Sequence, residues 1–408
     1  MRQTPYYVFD TDEFAKRAAM IRAALDCKGG RRIPLCFSIK ANPFLLHRLP
    51  EGLDHVEVCS PGELEICIAL GVKPESIIYS GVMKEKCDIE RAVSYGAGIL
   101  TCESIRHAAL ISEVMLERMP EGAHEAEFAE TKTHVILRLT SGNQFGMSLD
   151  DIEYIISHPD EFKGIAVMGI HYYSGTQKSL RKINKDLEKI KSALTGLKEK
   201  YGFEPQLVEY GPGLCVEYFE DDWQEREKQS LDEAAEVLRE FAVEYPLGIE
   251  MGRFLAASCG KYYTQVKDLK STGDANYAIL DGGIHHLNYF GQRMAMQVPP
   301  IKVYAGEVSE NEERTGVKFT ELPDTDYTLC GSLCTVADVL VREVKLKKLE
   351  LGDVLEFGHC GAYSVTEAPA LFLSRQLPAI YAYSKEYGYE CLREHIPAAE
   401  INLAGKKL

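Results

Sequence analysis

The groups that could do chemistry in this 408-residue chain fall in a few short polar clusters. Lys40 sits in Ser38-Ile39-Lys40-Ala41-Asn42, where an apolar run ends among small residues. A lysine there is either a solvated strand-end charge or one that loses hydration, so that its pKa falls and its amine suits imine chemistry with carbonyl groups. Glu57 lies just before Cys59-Ser60 at the end of a second run, and Glu103 and Arg138 close two more. In His171-Tyr172-Tyr173-Ser174-Gly175-Thr176, His171 fits either a packed core or a stack against a flat ring. Gly211-Pro212-Gly213 is either a plain turn or, with Ser174 and Arg253 beside it, a cradle in which backbone N–H groups meet a phosphate. It is not a P-loop, because the chain has no GxxxxGK[ST]. Glu250-Met251-Gly252-Arg253 ends a run with a carboxylate that needs a partner when buried. Arg253 is one candidate; the protonated nitrogen of a heterocycle is the other.

These clusters share a position in the elements that must carry them. Eight apolar, β-branched runs are predicted as strands: Pro34–Ile39, His55–Cys59, Ser76–Ser80, Gly98–Cys102, His134–Leu139, Ile165–His171, Leu207–Tyr210 and Leu247–Glu250. Helical patterns separate most of them, at Gly62–Leu70, Glu85–Tyr95, Ser104–Arg118, Leu149–Ser157, Ser179–Tyr201 and Gln229–Val243, and the first connection, Ala41–Asp54, is the weakest. Eight alternating units fit an α/β fold with a (β/α)8 TIM barrel, although the pattern alone also fits a doubly wound open sheet. In a barrel every cluster above lies at the C-terminal ends of the strands, where barrel chemistry occurs.

After Gly252 the pattern changes. Short strands are expected at Tyr262–Val266, Tyr277–Leu280, Ile301–Val303, Asp326–Leu329, Val339–Val341, Val354–Phe357 and Ala370–Leu373, with dense turns between them. This reads as an antiparallel β-domain or barrel. The expected domains are 28–253 for the α/β barrel and 1–27 plus 254–408 for the β-domain, to which the strand Tyr6–Asp10 would contribute.

Composition excludes several functions. Lys and Arg total 46 against 62 Asp and Glu, a net charge of −16, which disfavours nucleic-acid binding. No apolar run approaches the roughly 20 residues of a membrane span. The opening Met1-Arg2-Gln3-Thr4-Pro5 lacks the apolar core of an export signal, and the 12 scattered cysteines include no CxxC pair. A cytoplasmic protein with reduced thiols and no metal site is expected.

Taken in order, these motifs resemble the fold type III pyridoxal-phosphate decarboxylases, which act on ornithine, arginine and diaminopimelate. The likeness spans nearly the whole chain and adds Gly62-Glu63, Gly331-Ser332-Leu333-Cys334 and Gly361-Ala362-Tyr363 to the clusters above. It implies an alanine racemase-like barrel plus β-domain, pyridoxal 5'-phosphate as cofactor, and a homodimer with shared active sites. By that resemblance Lys40 bonds to the cofactor, Glu57 lies beside it, and His171 stacks on the ring. Glu250 keeps the pyridine nitrogen protonated. Ser174, Gly211, Gly213, Gly252, Arg253 and Tyr363 hold the phosphate. Cys334, from the partner subunit, assists protonation after carbon dioxide leaves. The related alanine racemases use an arginine where Glu250 stands, so a carboxylate there favours decarboxylation over racemisation. Other readings are diaminopimelate decarboxylase, a racemase, or a non-catalytic homologue that binds the cofactor.

The substrate side departs from that pattern. Thr335 follows Cys334 where an acidic residue binds a distal amine, and Tyr289 falls where an arginine binds the distal carboxylate of diaminopimelate. Gln144-Phe145-Gly146 replaces a Lys-Phe-Gly. Thr335, Tyr289, Gln144 and Arg138 are thus the expected substrate contacts. A substrate with a conjugated or carrier-tethered distal end is expected, as in the butirosin-type glutamyl-carrier-protein decarboxylases, which the chain also resembles. Lys178–Lys200 carries eight basic residues against three acids on a predicted helix, either a solvated face or a dock for an acidic acyl carrier protein.

Overall fold

The computed structural model describes residues 2–27, 29–118, 132–306 and 323–405. The chain starts with strand β1 (Tyr6–Asp10) and helix α1 (Thr11–Ala24). It then forms a closed barrel of eight strands: β2 (Leu35–Ser38), β3 (His55–Val58), β4 (Ile77–Tyr79), β5 (Ile99–Cys102), β6 (Thr133–Arg138), β7 (Ile165–Tyr173), β8 (Leu207–Gly211) and β9 (Leu247–Met251). Each pairs in parallel with the next, and β9 returns to β2 through Cys36↔Glu250. An open sheet is therefore ruled out. Every second side chain points inward, and Cys36, Ile78, Ile99, Ile136 and Leu207 form one buried layer.

The connecting helices are α2 (Pro61–Ala69), α3 (Lys86–Tyr95), α4 (Ile105–Glu117), α5 (Leu149–Ser157), α6 (Leu180–Tyr201) and α7 (Trp223–Glu244). Their starts are written locally. The Ser60 hydroxyl accepts from the Glu63 N–H and so caps the helix, Pro61 opens α2, and Glu63 Oε2 reaches back to accept from the Cys59 N–H at 2.7 Å. The weak first connection is two 3-10 segments, Ile39–Ala41 and Pro43–Arg48; between them the Asn42 side chain accepts from the Phe44 N–H.

The chain divides into two compact units, one of residues 1–16, 217–223 and 256–408, the other of residues 17–216 and 224–255. The division at 16 and 17 falls inside α1. Arg17 explains why the rest of the helix goes with the barrel: its guanidinium donates to the Phe254 carbonyl and lies 2.7 Å from Glu227.

In the other unit the strands are β10 (Gly260–Thr272), β11 (Ala275–Leu280), β12 (Ile301–Tyr304), β13 (Asp324–Cys330), β14 (Val339–Lys347), β15 (Val354–Phe357), β16 (Ala379–Ser384) and β17 (Gly388–Arg393). They pair in the order β14-β13-β11-β10-β1-β16-β17, with β15 bridging β10 and β12. β1 does join this sheet, antiparallel to β10. Two expectations fail. The sheet is mixed, since β1 with β16 and β11 with β13 run parallel. Ala370–Leu373 is no strand: it follows Pro369, Leu373 has φ 56°, and Leu371 and Phe372 are 43% and 48% exposed.

Candidate active site

The C-terminal rim of the barrel gathers the reactive groups. Lys40, just past β2, points its ammonium at Glu57 on β3, with Nζ 2.8 Å from Oε2. Ser38 and Glu57 are register partners. Burial alone would raise the Glu57 carboxyl, but the Lys40 charge, its hydrogen bond and that of Ser38 prevail and hold it well below the usual carboxylate range. The Lys40 side chain is 37% exposed, so the strong desolvation expected of it is only partial. Cys59 completes this corner, its Sγ 3.5 Å from Lys40 Nζ and 3.4 Å from Glu57 Oε1. Burial and then the Glu57 charge push its thiol pKa up, so it stays protonated.

On β9, the strand next to β2, Glu250 is 7% exposed, and its Oε2 lies 3.3 Å from His171 Nε2. His171 is 2% exposed, and among the described residues neither of its ring nitrogens finds a hydrogen-bond partner. β7 runs two residues beyond the end expected for it. The ring at the strand's end is Tyr173, two residues beyond His171 on the same face. A Cβ placed on Gly211 would fall 2.5 Å from Tyr173 Cδ2 and 2.6 Å from Glu250 Oε1. Gly211 therefore leaves backbone open beside a ring and a carboxylate. Tyr173, whose pKa is raised by burial, also feels the charges of Lys40, Glu250 and Arg253. Strand alternation pointed inward correctly, but the strand's true end was needed to find Tyr173.

Ser174 is not free to donate to a phosphate. Its Oγ donates to Asp186 Oδ2 at 2.6 Å, because Asp186 on α6 is buried there beside Lys178. Lys178 Nζ is 2.8 Å from Asp186 Oδ2 and 2.8 Å from the Gly211 carbonyl. Burial lowers the Lys178 pKa against the pull of Asp186. Gly213 has φ 55°, and Gly252 packs on Ala41, where a Cβ would fall 3.1 Å from the Ala41 Cβ. Arg253 opens the short helical turn Arg253–Ala256, one residue past β9.

Arg138 on β6 is committed as well. Its Nη1 donates to Glu103 Oε1 at 2.7 Å, its guanidinium lies 4.9 Å from the Phe145 ring centre, and Glu103 Oε2 accepts from the Gly146 N–H. This pair holds the loop that carries the exposed Gln144. Two buried groups escaped the sequence reading. Glu209 on β8 is 2% exposed with Oε1 unsatisfied, and burial, then Glu250 and Glu57, raise its pKa. Lys84 is 4% exposed, donates to the Gly81 carbonyl, and is pushed down to about 8 by burial. Inward phase alone could have found Glu209.

The β unit carries the remaining expected residues. Cys334 is exposed, in a loop pinned by Asp338, whose carboxylate accepts from the Ile284 and Leu333 N–H groups. Thr335 Oγ1 accepts from the Ala337 N–H. Tyr289 is 6% exposed, and its hydroxyl donates to the Gly358 carbonyl at 2.6 Å, which leaves no open donor there for a substrate. Tyr363 opens the turn before Glu367, with φ 66°.

The barrel donor set fits pyridoxal phosphate. An accessible amine, a buried carboxylate beside unsatisfied imidazole nitrogens, and a backbone cradle kept open by Gly211 match an aldehyde, a protonated ring and an anion. Of the expected basic helix face, Lys178 is buried, and Lys191, Lys198 and Lys200 pair with Glu244, Glu204 and Glu153. Arg181, Lys182 and Lys185 are exposed on the first turns of α6.

Residues 11–257 match the family model described as pyridoxal-dependent decarboxylase, pyridoxal binding domain. The chain is 27% identical to the L-glutamyl-[BtrI acyl-carrier protein] decarboxylase of Niallia circulans, over 98% of this chain and 93% of that protein. It is 29% identical to the 2-[(L-alanin-3-ylcarbamoyl)methyl]-2-hydroxybutanedioate decarboxylase of Staphylococcus aureus, over 84% and 86%. In fold it is similar to diaminopimelate decarboxylase from Helicobacter pylori complexed with L-lysine, with a TM-score of 0.76 at 20% identity over 98% and 96% of the two chains.

Proposed function

The chain belongs to the pyridoxal-dependent decarboxylases, and we propose that within them it removes the α-carboxylate of a conjugated or carrier-tethered amino acid. It is an amino-acid decarboxylase, and its cofactor is pyridoxal phosphate. When bound, the cofactor supplies an aldehyde for amines and a cationic ring that accepts the electron pair left as carbon dioxide departs.

The side chains divide the work. Lys40 would hold the cofactor covalently, and Glu57 holds the proton at Nζ until the amine is needed. Glu250 would keep a proton on the ring nitrogen, which makes the ring a stronger electron sink. Tyr173 and His171 would flank the ring. Gly211, Gly213, Gly252 and Arg253 would hold the phosphate, with Tyr363. Cys334, contributed across a homodimer, would return a proton to Cα.

One observation carries the substrate reading. The Tyr289 hydroxyl is spent on the Gly358 carbonyl, and by the family resemblance Tyr289 falls where an arginine would bind a distal carboxylate. Thr335 likewise supplies no carboxylate for a distal ammonium. A buried charge without a partner costs several kcal/mol, so a free diamino acid is poorly matched. The names of both relatives above describe amino acids joined to a larger group, which supports the same reading. Arg181, Lys182 and Lys185 offer a smaller basic face for an acidic carrier than the sequence suggested.

The test is carbon dioxide release from free diaminopimelate, lysine, ornithine and arginine, set against glutamate loaded on an acyl carrier protein and an amide-linked diaminopropionate. Turnover confined to the conjugated substrates is expected. Efficient turnover of free diaminopimelate would replace this reading with diaminopimelate decarboxylase.

A further inference from the structure

Lys178 opens the basic run expected as a solvated face or a carrier dock, yet it is 4% exposed. Its ammonium meets Asp186 Oδ2 and the Gly211 carbonyl, each at 2.8 Å, with Ser174 Oγ at 3.3 Å. Asp186 Oδ2 in turn accepts from Ser174 Oγ at 2.6 Å and from the Tyr210 hydroxyl at 3.0 Å. The charges therefore cancel locally, and every donor around the carboxylate has a role.

The main chain is tied at the same place. The Lys178 N–H donates to the Gly213 carbonyl at 2.9 Å. A trans peptide is planar, with N–H and C=O pointing opposite ways. Fixing the Gly213 carbonyl toward Lys178 thus turns the Leu214 N–H away from it. One residue earlier, the Gln177 side chain grips both the N–H and the carbonyl of Val216, at 2.7 and 3.0 Å. Gln177 does so at φ 54°, a backbone region costly for a residue with a side chain. Gly213 also lies so close that a Cβ would fall 2.2 Å from the Gly175 carbonyl. The segment after β7 and the turn after β8 are thereby locked into one piece.

We infer that Lys178, paired with Asp186, is a positioning residue for the cofactor's phosphate: it presets the Gly211-Pro212-Gly213 turn as an anion cradle without touching the anion. Its ammonium protons are already shared among Asp186, Gly211 and Ser174, so it acts through the turn it holds. The inference rests on the cofactor and is independent of which amino acid is decarboxylated.

The experiment compares two ligands on the cofactor-free protein: pyridoxal phosphate, and pyridoxal, which lacks the phosphate. Affinities are read by equilibrium dialysis. Lys178→Met leaves Asp186 buried without its cation, so the double variant Lys178→Met/Asp186→Leu is measured beside it, because removing both charges avoids that penalty. A folded double variant should bind pyridoxal phosphate at least about tenfold more weakly, the scale of one charge-assisted hydrogen bond, and pyridoxal within about threefold of wild type. Equal weakening of both ligands, or unchanged affinity for the phosphorylated one, overturns the inference. A double variant that fails to fold overturns it too, because the pair would then serve the barrel and not the cradle.

Discussion

Lys40 Nζ and Glu57 Oε2 meet at 2.8 Å between the ends of neighbouring barrel strands, and this pair sets the resting state of the site. The carboxylate on β3 orients the amine to which we assign cofactor attachment.

Lys40→Ala should abolish covalent cofactor attachment. Borohydride reduction followed by peptide mapping should find the adduct on Lys40 in the wild type and on no residue in the variant. An adduct at another lysine would reassign the site.

Glu57 is held below the ordinary carboxylate range, against the raising effect of its burial. Its stabilising contribution is therefore complete above the unfolded value of about 4.3 and is lost as pH falls toward the folded value. Thermal unfolding of the cofactor-free wild type and Glu57→Gln should differ most near pH 6, and the gap should shrink steadily as pH falls below about 4.3. A gap that stays constant through that window would show that the ion pair contributes nothing.

Lys84 gives the same sign of pH dependence from a different cause. Burial lowers its pKa from 10.5 to about 8. Between those values the unfolded chain binds more protons than the folded one, so stability attributable to Lys84 rises with pH across that interval. Wild type should gain stability relative to Lys84→Met between pH 8 and 10.5, as read by urea unfolding. Parallel curves would mean that Lys84 stays fully charged in its pocket.

Glu250→Gln should slow carbon dioxide release by about a hundredfold or more, the scale on which a single preorganised electrostatic group acts. Cofactor binding should persist, because the phosphate and Lys40 are untouched. Wild-type rates would remove the carboxylate from the mechanism.

Cys334→Ala should slow turnover while leaving cofactor affinity intact. Mixed with Lys40→Ala and allowed to exchange subunits, it should regain activity toward about one quarter of wild type, since random pairing in a two-fold dimer gives half mixed dimers with one intact site each. No recovery would argue against a site shared between subunits.

Lys40, Glu57, Glu250 and the Gly211-Pro212-Gly213 turn were legible from the sequence because each sits where an apolar run stops. In a barrel of alternating strands and helices, that position alone brings them to one rim. The tertiary structure decided who partners whom. β7 continues to Tyr173, so the ring at the strand's end is not His171. Ser174, read as a phosphate contact, gives its hydrogen to Asp186, and Lys178, read as surface charge, is buried beside them. Tyr289 spends its hydroxyl on a carbonyl 69 residues away. Periodicity reports which face a residue occupies, but a hydrogen-bond partner depends on where separate segments meet in space, and no local pattern encodes that meeting.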